Sequence, residues 1–186
     1  MRSFERFAAA LQGAADAVCV VAAWLAGLCL ASLTLLVLTD TLLAFISRHF
    51  PAIPSGTGVG WEYSAYLMGA AFVLGAGLTL RAGLQLRVEV LLAIGNGRMA
   101  RTFELLASAL GSVVTIFLAI NMARFTLRTY GYGEVSQDSF TPLWIPQLVL
   151  SAGFFVLAFQ MIARLITCLA NGRLNKPELG VTTSIN

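Results

Sequence analysis

The residues able to do chemistry are few and widely separated. The one histidine, His49, stands beside Pro51 at the end of an apolar block. A single imidazole cannot supply bis-histidine haem ligation, and it reads as a loop residue. Cys19, Cys29 and Cys168 lie inside apolar blocks with no CxxC or other ligand spacing. They read as small packed hydrophobes rather than a disulfide framework or zinc site. There is no GxSxG, no HExxH and no Walker-type glycine loop. Gly56, Gly58 and Gly60 precede an apolar helix instead of following a strand, so they make a turn. No catalytic residue, cofactor or metal site is expected.

The ionisable residues carry the remaining possibilities. Asp40 has apolar residues on both sides, and an ionisable group within a membrane segment is a functional candidate by default. The 23 uncharged residues from Ala17 to Thr39 make about 35 Å of helix, enough to cross before Asp40 is reached. Asp40 is therefore expected at headgroup level, with a partnered intramembrane charge or ion coupling as the sharper readings. Glu62 opens the next apolar run, where a carboxylate complements a helix N-terminus. Arg81, Arg87 and Glu89 flank a short amphipathic stretch. They are suited to headgroup contact, or to docking against another subunit or acidic lipid. Glu134 and Asp138, with Arg124 and Arg128, read as a mixed-charge loop open to an extracytoplasmic partner.

The elements that position these residues follow from composition. Of 186 residues 58% are hydrophobic and 11% charged, with the apolar residues in long blocks. Soluble domains carry roughly 25% charged residues. In hydrocarbon each backbone polar group must be satisfied internally, so such blocks become helices of about 20 residues or more. The expected fold is an all-α integral membrane protein with four transmembrane helices, spanning about 16–47, 61–80, 101–123 and 142–170. The first block is too long for the roughly 7–15 apolar residues of a signal-peptide core, and reads as a true span. Leu84, Val88, Leu91 and Leu92 recur at helical spacing, giving a short interfacial helix over about 84–95. Pro142 and Pro146 mark the start of the fourth span. Residues 1–176 form one membrane domain, followed by a polar tail over 177–186.

Charge sets the orientation. The net charge of +3 is too small and scattered for nucleic-acid binding. With the N-terminus inside, Arg2, Arg6, Arg81, Arg87, Arg98, Arg101, Arg164, Arg173 and Lys176 face the cytoplasm, against Arg48, Arg124 and Arg128 outside. Both termini are thus expected in the cytoplasm. Small residues recur at Ala23, Gly27 and Ala31, at Ala71, Gly75 and Thr79, and at Ala107, Gly111 and Thr115. Such stripes let helices approach closely in lipid.

Three ordered motifs resemble a known family. Trp61-Glu62-Tyr63-Ser64-Ala65-Tyr66 is similar to the W-x-E-x-x-x-Y/F start of the second helix in small permease subunits of tripartite ATP-independent periplasmic (TRAP) transporters. Arg81-Ala-Gly-Leu-Gln-Leu-Arg87-Val88-Glu89 resembles that family's R-x-G-x-H-I-R-V-D block, with Gln85 in place of the usual His and Glu89 in place of Asp. Pro142, Trp144, Pro146 and Gln147 resemble its fourth-helix entry, and Arg48 also fits. The resemblance implies a bacterial inner-membrane subunit in stable complex with a large permease subunit. A periplasmic substrate-binding protein delivers an organic acid, and sodium drives its symport. The small subunit is a scaffold without catalytic residues. Trp61, Glu62, Arg81, Arg87, Glu89, Pro142, Trp144 and Pro146 are candidates for the subunit or lipid interface, with membrane lipids as further partners. An autonomous dimeric transporter using Asp40 or Glu62 as coupling carboxylate is the alternative. A membrane enzyme or electron-transfer anchor would want paired histidines or facing acidic clusters, which this sequence lacks.

Overall fold

The computed structural model describes residues 2–50, 52–82 and 97–170. They form four helices: α1 (Arg2–Ser47), α2 (Gly60–Ala82), α3 (Gly97–Tyr132) and α4 (Trp144–Leu169). All four carry a stretch long and apolar enough to cross a membrane. The interfacial helix expected over 84–95 and the tail after 176 lie outside the described residues.

Two helices are longer than a bilayer requires. The 46 residues of α1 make about 69 Å of helix, against a hydrocarbon thickness of ~30 Å. Its N-terminal part, before the apolar block that begins at Ala17, continues as helix back to Arg2. Similarly α3 continues through Arg124 and Arg128 to Tyr132. Those two arginines therefore project from helix and not from a loop. Neither segment contains a proline, and α3 ends before Gly133, whose positive φ turns the chain.

The packing is asymmetric. Helices α1, α2 and α4 contact one another in turn, whereas α3 contacts α4 alone among the described helices. The core between α1 and α2 is small: Ala22, Ala26, Ala70 and Leu74 are buried, with Cys29, Val149 and Val156 packed against them. Glycines set the closest approaches. A Cβ at Gly77 would lie 2.7 Å from Cys19 Sγ of α1, and one at Gly153 would lie 2.7 Å from Val73 Cγ1 and 3.3 Å from the Leu74 backbone nitrogen. In a membrane, where lipid tails compete with any apolar surface, this backbone proximity is what favours helix–helix contact.

The small-residue stripes divide between inside and outside. Ala71 is buried, and a Cβ at Gly75 would stand 3.8 Å from Ala26. Gly111 faces Met161 of α4. On α1, by contrast, it is Ala22 and Ala26 that face inward, while Gly27 has open space where a Cβ would go.

Candidate functional site

Polar side chains gather at both ends of the bundle. At the end where α1 and α3 begin and α2 and α4 finish, Asp16, Arg81 and Gln160 meet from three helices. Asp16 Oδ1 accepts hydrogen bonds from Arg81 Nε at 2.9 Å and from Gln12 Nε2, one turn earlier, at 2.8 Å. Gln160 Nε2 approaches the same oxygen at 3.5 Å. The Thr167 hydroxyl donates to Gln12 Oε1 at 3.1 Å, Cys19 Sγ lies 3.5 Å from Gln160 Oε1, and Arg164 Nη1 donates to the Leu80 carbonyl at 3.3 Å. Gln12, Asp16, Arg81, Gln160, Arg164 and Thr167 are all buried. Gln160, Arg164 and Thr167 recur at one and two helical turns, so α4 presents them on one face. The ionised groups are removed from lipid by satisfying one another. This arrangement is a clasp of three helices.

At the opposite end Asp40 and Glu62 hold loops. Asp40 Oδ1 accepts from the Thr57 backbone N–H at 2.8 Å, fastening α1 to the turn before α2. The Asp40 carboxylate occupies the space in which a side chain at position 60 would begin, so Gly60 is required by that contact. Asp40 thus has a visible structural task. Glu62 is buried in the first turn of α2 and accepts a hydrogen bond from the Tyr66 hydroxyl, one turn along. Ser136 and Ser139, from the segment joining α3 to α4, lie near this carboxylate. Its second oxygen, Oε2, is enclosed and has no hydrogen-bond partner among the described residues. The joining segment is folded on itself: Ser136 N–H donates to Thr141 O at 2.9 Å, and Val135 pairs with Pro142. Tyr63 Oη and Thr141 Oγ1, 2.7 Å apart, tie it to α2.

The profile of the DctQ component of tripartite ATP-independent periplasmic transporters matches residues 33–171. The chain belongs to the DctQ family. This family is a membrane component of TRAP transporters, so the chain is a small membrane subunit of such a system. No curated protein and no solved structure matches the chain. The DctQ match takes in Asp40, Glu62, Arg81, Gln160 and Arg164, while Gln12 and Asp16 precede it.

The residues singled out in this DctQ chain fall into different settings. Trp61 is 70% exposed at the start of α2, beside buried Glu62. Arg81 is turned inward onto Asp16, an ion pair whose side chains are 9% and 12% exposed. Arg87 and Glu89 lie outside the described residues. Pro142 closes the α3–α4 segment, Trp144 stacks edge-on against Tyr130 at 5.5 Å between ring centroids, and Pro146 is half-buried. His49 packs against Phe45, with ring centroids 5.4 Å apart. The clasp residues Gln12, Asp16 and Arg164 were not visible as a site in the sequence. The available signal was weak: a carboxylate at the start of an apolar block, with Gln12 one turn before it.

Proposed function

We propose that this chain is the scaffold subunit of a sodium-driven, binding-protein-dependent importer of organic acids. In this reading it forms a stable complex with the large permease subunit and has no catalytic or substrate site of its own. It lies in the bacterial inner membrane with both termini in the cytoplasm, as the distribution of arginines supports.

The observation that carries the reading is the incomplete packing of the bundle. Among the described helices α3 rests on α4 alone, and α1 turns Gly27 and many large apolar side chains outward. A self-contained transporter encloses its substrate at a repeat interface near mid-membrane. Here Gly77 and Gly153 bring α2 tightly against α1 and α4, and Asp16, Arg81 and Gln160 bond to one another. A surface with small residues facing outward suits a second helical protein laid against it.

The test is uptake of radiolabelled organic acids into proteoliposomes. The reading expects sodium-dependent accumulation only when this chain, the large subunit and the binding protein are all present. Uptake by this chain alone would refute it.

A further inference from the structure

Among the described residues one non-glycine residue, Phe140, has a positive φ, at 54°. This is left-handed backbone, in which Cβ crowds the following carbonyl oxygen and a bulky side chain is rare. The turn that ends α3 meets the same need with a glycine, Gly133 at φ 64°. Phe140 is pinned from both sides. Ser139 Oγ donates to Thr141 Oγ1 at 2.7 Å and accepts from the Thr141 N–H at 3.3 Å. Thr141 is tied to α2 through Tyr63 Oη, and its carbonyl accepts from the Ser136 N–H. Leu143 N–H closes the segment by donating to Glu134 O at 3.1 Å.

The ring gives this chain little in return for the strain. It is 74% exposed, the most exposed large apolar side chain of the α3–α4 segment. A strained residue that its own chain does not bury is held ready for contact with something else. Two surroundings are at hand, the bilayer surface and another protein. From Gly133 to Leu143 the segment carries Glu134 and Asp138, both exposed, and no lysine or arginine. Aromatic groups that enter a bilayer surface are accompanied by basic residues, which acidic lipid attracts. An apolar tip with an acidic rim instead complements a protein pocket that is apolar within and basic at its edge.

We propose that Phe140 is the docking tip for the soluble binding protein. The ring enters an apolar pocket of that protein, and Glu134 and Asp138 face basic side chains at the pocket's edge. The inference rests on the scaffold reading, which places the α3–α4 segment outside the cytoplasm and supplies the binding protein as partner. Holding the ring out in advance lowers the ordering cost of docking. The strain is then repaid in the complex and not in the free chain.

The experiment is surface plasmon resonance of the soluble binding protein on nanodiscs holding this chain and the large subunit together, at low and high salt. Phe140→Gly should weaken binding at least about tenfold, mainly by faster dissociation. The melting midpoint of that full-length variant should stay equal or rise, because glycine accepts the left-handed backbone. Phe140→Asn, which also tolerates it, should behave alike. Glu134→Gln with Asp138→Asn should slow association and flatten its salt dependence. Unchanged affinity in both Phe140 variants, while the wild-type complex binds, would overturn this proposal and leave the scaffold reading standing. No binding by the wild-type complex would refute both. A lower midpoint in both Phe140 variants would overturn the proposal by showing that the ring serves the chain's own fold. Quenching of Phe140→Trp fluorescence by brominated lipid would also overturn it, and would assign the ring to the bilayer.

Discussion

Asp16 and Arg81 show how much depends on single pairs in this chain. Removing one partner leaves the other charged and buried, which costs about 3–5 kcal/mol in proteins generally. Arg81→Leu should therefore lower stability in mixed-micelle denaturation by at least about 2 kcal/mol, and Asp16→Leu with Arg81→Leu should lose clearly less than the sum of the singles. Additive losses would mean that the contact is incidental. Asp40 and Gly60 supply a second pair. Gly60→Ala should destabilise by about 1–3 kcal/mol, because the new methyl must displace a carboxylate held by the Thr57 N–H. In an Asp40→Ala background the same substitution should cost much less, which a thermal-melt cycle reads directly. Neither pair was legible beforehand. Asp16 and Arg81 both looked like charges at span ends, and only the antiparallel packing of α1 and α2 brings them together. Asp40 was legible as a residue at the end of a crossing, but its bond to Thr57 depends on how a glycine-rich turn folds back.

At the scale of elements, the number and order of spans were readable because lipid leaves the backbone so few choices. Helix ends were less so. An apolar run shows where hydrocarbon begins and ends, but α1 and α3 continue as helix beyond it, and the polar residues there carry no stop signal. The facing of the small-residue stripes was also hidden: Gly27 and Gly153 are both glycines of apolar helices, yet one is open and the other is pressed against α2. Gly153→Ala should cost about 1–3 kcal/mol in the isolated chain, since Val73 and the Leu74 backbone must move. Gly27→Ala should be neutral or slightly stabilising there, by no more than about 1 kcal/mol. Melting curves of the two variants side by side check both statements. A destabilising Gly27→Ala would show that α1 packs differently.

For the whole molecule, the bundle is best understood as part of something larger. Helices α1, α2 and α4 hold together through glycine contacts and a buried polar clasp, and α3 is attached to α4 alone among the described helices. The resemblance carried by Trp61, Glu62, Arg81 and Pro142 pointed to the small TRAP subunit, and the DctQ match over residues 33–171 shows it. The substrate was not legible, because span lengths and packing stripes record how helices meet lipid and one another, not what is carried. If α1 meets the large subunit through its outward stripe, Gly27→Leu should leave the isolated chain folded and prevent assembly.

The most direct test is affinity purification of the tagged chain in mild detergent from its native host, with identification of what accompanies it. The scaffold reading predicts a much larger polytopic membrane protein in stoichiometric amount, lost with Gly27→Leu. Recovery of the chain alone, as a stable dimer active in transport, would contradict it.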